Sequence, residues 1–327
     1  GSNIGIGRGA GRGYHGVSQT EYGVNSTNTQ NVSIGYYAYG RGIGIQNVNI
    51  GYEAGYAATG SYNTNVGAYA GKGNVSSAPF TSGQYNTNFG YYAGSSNVSG
   101  DYNINIGAEA YGASTGTRNI TMGYRTMFTE KSLSYNIAIG HASMYYVGAG
   151  GSGYNIAIGD EALYGGSAGG AASYNIVMGR RSLYQATSTS NNVAIGYVAG
   201  YHNKTGGANV LIGAYAGYHQ LSGNSVNIGY EAGIYVTGSA NVFVGSGAGK
   251  SQTYRNRAPY SNASQNVAIG HESMYYIGTG AQYNVGVGSY SLNANVSGSQ
   301  NVAIGYQAGN AITTGDNNIL IGHDVDV

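Results

Sequence analysis

Apolar residues recur in this chain on two scales. Within short runs they alternate with other residues, and the runs return mostly every 16 or 17 positions. Each run reads Asn, Val or Ile, a variable residue, Ile or Val, then Gly, as in Asn301, Val302, Ala303, Ile304 and Gly305. Eighteen copies close on glycines from Gly7 to Gly322. The two flank positions, three and one before the glycine, share one face of an extended segment because side chains alternate with period 2. Val or Ile fills the first flank in 16 of 18 copies, Thr64 and Thr87 being the exceptions. Such β-branched residues suit a half-buried pleated surface. A glycine in every copy would weaken any helix. Each copy therefore predicts one short strand and a turn.

No copy is large enough to own a core, so the copies must bury one another. Equivalent strands at fixed spacing stack best in parallel, about 4.8 Å apart. The predicted fold is all-β, a parallel β-solenoid or β-roll of 18 short turns. Such a stack is a rod roughly 80 Å long. The flank positions are expected to face its interior. The mid-strand position, two before the glycine, is then expected to point outward; it is uncharged throughout. Its apolar members Ala138, Ala157, Val177, Ala194, Leu211, Phe243, Ala268, Ala303 and Leu320 form a candidate subunit interface. Asn precedes the strand in 17 of 18 copies, with Ser225 the exception. Asn tolerates left-handed corners, and stacked Asn amides bond in register, so this column is expected to be structural. Three residues after the glycine stands Ala or Ser in nearly every copy, followed by Gly or by a large residue such as Met144 or Leu183.

Residues 1–30 are the least regular, an expected cap or first turn with an insertion, and residues 31–327 form the array. Two insertions interrupt it, at 71–84 and 249–265, and hold the only two prolines. Both begin Ala-Gly-Lys and centre on Ala-Pro-aromatic-hydroxyl. Loops carried on a rigid scaffold are where binding residues concentrate. Lys72, Pro79, Phe80, Lys250, Arg255, Arg257, Pro259 and Tyr260 are accordingly candidate receptor contacts.

Composition narrows the function classes. Charged residues make up 8% and net charge is +1, so nothing recruits nucleic acid electrostatically. The absence of cysteine rules out disulfide stapling, which leaves stacking to supply stability. No apolar run approaches the ~18 residues of a membrane span. No signal peptide is visible, and a start at Gly1 fits an excerpt or a processed product.

No catalytic constellation emerges, and neither a cofactor nor a metal is expected. His141, His271 and His323 lie many turns apart. His202 and His219 fall one turn apart and are expected as paired surface histidines, too few for a metal centre. Tyrosine, with 35 residues, forms two columns. One precedes the Asn (Tyr62, Tyr85, Tyr102, Tyr135, Tyr154, Tyr174, Tyr283); the other follows the glycine (Tyr36, Tyr52, Tyr91, Tyr124, Tyr197, Tyr230, Tyr306). Ring packing between turns is the favoured role, and a carbohydrate-binding strip the alternative.

The run from Asn301 to Gly309, followed by Thr-Thr-Gly-Asp-Asn-Asn, resembles repeats of phage tail-fibre proteins and bacterial tail-fibre-domain proteins. It is also similar to the head repeats of trimeric autotransporter adhesins. The resemblance spans Asn31 to Gly322 and implies a left-handed β-roll and a homotrimer. The expected function is a structural fibre or adhesin shaft, extracellular, at a cell surface or on a virion, that attaches to a glycan or protein receptor. A self-assembling extracellular filament and an ice- or carbohydrate-surface binder are the alternatives.

Overall fold

The computed structural model describes residues 2–12, 29–73, 82–95, 97–111, 115–129, 132–147, 153–165, 171–251 and 260–326. Among these lie 18 three-residue strands, from Ile4–Ile6 to Ile319–Ile321, each the flank, mid-strand and flank residues of one repeat. The chain divides into two compact units, residues 1–161 with 169–171, and residues 162–168 with 172–327. Within each unit consecutive strands pair in parallel without slippage; Val193, Ala194 and Ile195 face Val210, Leu211 and Ile212. The architecture is the parallel β-solenoid that the repeat predicts, with one strand per rung.

The facing of the strands is the reverse of the expectation. The mid-strand residue is buried in every strand except the first, and no flank residue is buried. Ala138, Ala157, Val177, Ala194, Leu211, Phe243, Ala268, Ala303 and Leu320 therefore line the interior and cannot form a subunit interface. The reason is how the chain returns after the glycine. The small residue three positions on is buried, and the next position brings its backbone against the mid-strand side chain. That leaves room for one strand side chain per rung, not two.

The interior consequently matches volumes within a rung. Where the mid-strand residue is large, as in Asn49, Asn88 and Phe243, the position six later is Gly55, Gly94 and Gly249, and a Cβ there would overlap that same side chain. Where it is small, as in Ala138, Ala268 and Gly286, the partner is Met144, Met274 and Leu292, all fully buried. Ala194 and Ala303 break the rule with Gly200 and Gly309, whose space is taken by Leu183 with Leu211 and by Leu292 from adjacent rungs, and Asn105 breaks it by sharing its rung with fully buried Tyr111. In the first unit the mid-strand column is partly polar: Asn65 donates from Nδ2 to Asn49 Oδ1 (2.8 Å), Asn88 to Asn65 (2.7 Å) and Asn105 to Asn88 (2.8 Å). In the second unit it is apolar apart from Asn227.

Two positions hold the corners. The closing glycine adopts φ near +139° at Gly196, which side chains avoid, and a Cβ there would lie 2.5 Å from the Gly213 carbonyl oxygen on the next rung. The Asn before the strand is buried and tied to both neighbours. Asn63 N–H donates to Asn47 Oδ1 at 2.8 Å, while Asn63 Nδ2 donates to the Gly83 carbonyl at 2.9 Å. At Ser225 the amide is missing, and the hydroxyl reaches the next Asn241 N–H at 3.3 Å. Buried Gln220 substitutes for the lost donor: its Nε2 donates to the Gly238 carbonyl at 2.8 Å, and its Oε1 accepts from Asn227 Nδ2 at 3.2 Å.

Two predictions follow from this packing. Phe243→Ala should cost about 3–5 kcal/mol and Gly249→Met about 1–3 kcal/mol, yet the double variant should recover at least half of the summed loss in denaturant unfolding. Left-handed Met is already accommodated at the equivalent Met144 and Met274, with φ 54° and 51°. Gln220→Leu should cost about 1–3 kcal/mol by stranding a buried carbonyl, and Ser225→Asn should restore part of it, read from thermal melts.

Candidate docking faces

With the mid-strand residue inside, alternation carries four columns to the outer surface: the residue before the Asn, the two flanks, and the residue after the glycine. The flanks are Val, Ile, Met, Phe or Thr and never charged. Ile50, Phe89, Ile104, Met122, Ile176, Met178, Ile269 and Ile304 are among those exposed. All fourteen tyrosines of the two columns are exposed as well. The outer face of each unit is thus apolar in the middle; tyrosines line both borders in the first unit, whereas in the second the column before the Asn is mostly Asn, Gln and Ala. Sequence reasoning placed the Val/Ile pair inside and so missed this face. The signal that could have found it is the reciprocal size of the mid-strand residue and the residue six later.

The tyrosine borders pack along the column. Tyr36 stacks on Tyr52 with ring centroids 5.2 Å apart, and Tyr62 on Tyr85 at 4.7 Å. A third column stacks Tyr164, Tyr184, Tyr201 and Tyr218 at 4.8, 5.0 and 5.3 Å. In these stacked runs the rings cover one another's faces and offer edges to a sugar, whereas Tyr91, Tyr197, Tyr230 and Tyr306 meet neighbouring tyrosines edge to face. Desolvation by the packed neighbours, and then the neighbouring phenols, raise the pKa of Tyr85 and Tyr218.

The candidate receptor contacts divide. Pro79, Phe80, Arg255, Arg257 and Pro259 lie outside the described residues. Lys72 and Lys250 occupy equivalent places at the start of the two insertions. Lys72 pairs with Glu53 at 2.6 Å and sits 4.7 Å from the Tyr69 ring; Lys250 pairs with Glu231 at 2.6 Å and sits 5.0 Å from the Tyr275 ring. Tyr260 stacks on His219 at 4.2 Å. The described residues also form an open groove of about 330 Å³ lined by Tyr91, Tyr92, Ser95, Glu109 and Phe128. The Glu109 carboxylate at its edge is held by Arg125 at 2.6 Å.

His202 and His219 do meet, with rings stacked 4.3 Å apart, but not at the surface: His219 is buried and His202 half-buried. Among the described residues no group of three or more His, Asp or Glu side chains is placed to hold a metal ion. Nor is any helix there long and apolar enough to cross a membrane. No protein-family model matches the chain, and no curated protein matches it.

Burial, and then the charge of Lys204, hold the His202 pKa below 6.5. Tyr201, Tyr218 and His219 are the other titratable groups against its ring. The fold favours the neutral imidazole, so its contribution to stability is complete above the unfolded value of 6.5 and is lost as pH falls from there through the lower folded value. Thermal stability should fall as pH is lowered below about 6.5, and His202→Gln should flatten that dependence.

Proposed function

We propose that this chain is the shaft of an attachment fibre or adhesin, in which copies associate through the outer Val/Ile face. The observation that supports it most is the face itself: an uncharged apolar strip, repeated rung after rung and bordered on both sides by tyrosine in the first unit, of the kind that marks an interaction surface. The partner that best matches a strip with a repeat of about 4.8 Å is another strip with the same repeat, hence a second copy of this chain. The resemblance to tail-fibre and adhesin-head repeats makes the assembly a left-handed homotrimer, located outside the cell or on a virion. Contact with a glycan or protein receptor falls to the two insertions and to the aromatic groove of Tyr91, Tyr92 and Phe128, where a sugar ring could pack beside the Glu109 carboxylate. A surface-binding role for the stacked tyrosine columns is disfavoured, because their ring faces are already occupied.

The test is the mass in solution together with electron microscopy. Wild type should give discrete trimers. Val193→Asp with Ile195→Asp, on the outer face, should weaken association at least 100-fold with each unit still folded, since each aliphatic side chain buried contributes about 1.5–3 kcal/mol. Ala194→Asp, facing inward between them, should instead lower the melting temperature. A doubly charged variant with unchanged mass would refute the assignment of the face, and indefinite filaments from wild type would favour the filament alternative.

A further inference from the structure

Tyr62, Tyr85 and Tyr102 occupy one column on three consecutive rungs. All three have left-handed backbone, φ 63°, 57° and 59°, so their side chains leave the corner in the same direction. Hydrogen bonds between rungs fix the spacing: Tyr85 N–H donates to the Ser61 carbonyl at 3.2 Å and Tyr102 N–H to that of Gln84 at 3.0 Å. The rings are parallel to within 4° and 1°, with centroids 4.7 and 4.8 Å apart. They are 39%, 45% and 51% exposed, open to a reagent at their edges. The next place in the column is Arg118, whose guanidinium lies 5.5 Å from the Tyr102 ring and 5.3 Å from the Tyr135 ring. Beyond it Tyr135 and Tyr154 stack at 4.8 Å and 4°.

A phenol that loses one electron and one proton becomes a radical with spin density on its oxygen and ortho carbons. Parallel rings in register hold their ortho carbons about one rung apart, roughly 4.8 Å. Exposed side chains move on picosecond to nanosecond times, enough to close that gap. We propose that Tyr85 with Tyr62 or Tyr102, and Tyr135 with Tyr154, are oxidative cross-linking sites that form dityrosine between neighbouring rungs. The oxidant is hydrogen peroxide acting through a haem peroxidase. Two phenols give up two electrons and two protons, and one peroxide takes them to become two waters. The radicals join in an ortho–ortho carbon bond, and the ortho hydrogens move to the phenolic oxygens as aromaticity returns. The linked product is lighter by two hydrogens. In a chain without cysteine, such a link restrains the unfolded state as a disulfide would.

The experiment treats the full chain with a haem peroxidase and hydrogen peroxide, then maps linked peptides by mass spectrometry in a digest that separates the tyrosines. A mixture of light and heavy isotope-labelled chains distinguishes links within a chain from links between chains. The expected links join Tyr62 to Tyr85, Tyr85 to Tyr102, and Tyr135 to Tyr154 within one chain, with none from Tyr102 to Tyr135 across Arg118. Tyr85→Phe keeps the ring stack but removes the phenol. It should lower linked peptides containing Tyr62 or Tyr102 at least tenfold while leaving the Tyr135–Tyr154 link intact. Arg118→Tyr should create a new link to Tyr102. Absence of these linked peptides, links mainly between chains, or Tyr85→Phe with unchanged yield at Tyr62 and Tyr102 would overturn the proposal.

Discussion

Each rung of this solenoid depends on its neighbours to satisfy its polar backbone. A three-residue strand cannot pair with itself, and a corner turned within a few residues leaves amides and carbonyls unmatched. The Asn side chain resolves this by acting as a bridge: its carbonyl takes the N–H of the following Asn, and its amide reaches a glycine carbonyl on the next rung, as at Asn47, Asn63 and Asn86. A buried polar group left unpaired would cost about 1–3 kcal/mol, so a missing bridge demands a substitute. Gln220 beside Ser225 is that substitute, recruited from a different position of the repeat. The closing glycine belongs to the same constraint, because only a residue without Cβ lets successive rungs approach at that corner.

From this constraint comes the thin interior, and from the thin interior comes the outer face. The mid-strand side chain, the small residue and the variable position share each rung's interior with the buried Asn and with residues of the return segment such as Val236, Ile277 and Ile312. The β-branched flanks are left outside, where they carry the proposed contact between copies. The stacked tyrosines are a consequence of the same register: where rungs repeat without slippage, identical side chains superpose, and Tyr62, Tyr85 and Tyr102 end with rings nearly parallel.

Much of the architecture was legible in the chain. The period, the strand boundaries and parallel stacking all follow from the spacing of the Asn-to-Gly runs. The inward and outward faces were not, because alternation distinguishes two faces without saying which is buried. Hydrophobicity pointed the wrong way: Val193 and Ile195 look more like core than Ala194 does. The distinguishing information lay in pairs such as Phe243 with Gly249 and Ala268 with Met274, whose sizes compensate only if they touch. The meeting of His202 with His219 was readable from spacing, but the burial of His219 was not, since Tyr260, from within the second insertion, covers its ring.

Amide hydrogen exchange at Asn209 tests the governing constraint most directly. Its N–H donates to Asn192 Oδ1 at 3.0 Å, whereas the neighbouring Val193 N–H donates to the Asn209 main-chain carbonyl at 2.8 Å. In Asn192→Ala the Asn209 amide should lose most of its protection while the Val193 amide stays slow. An Asn209 amide that exchanges freely in the unaltered chain, or that is equally protected after the substitution, would contradict the account.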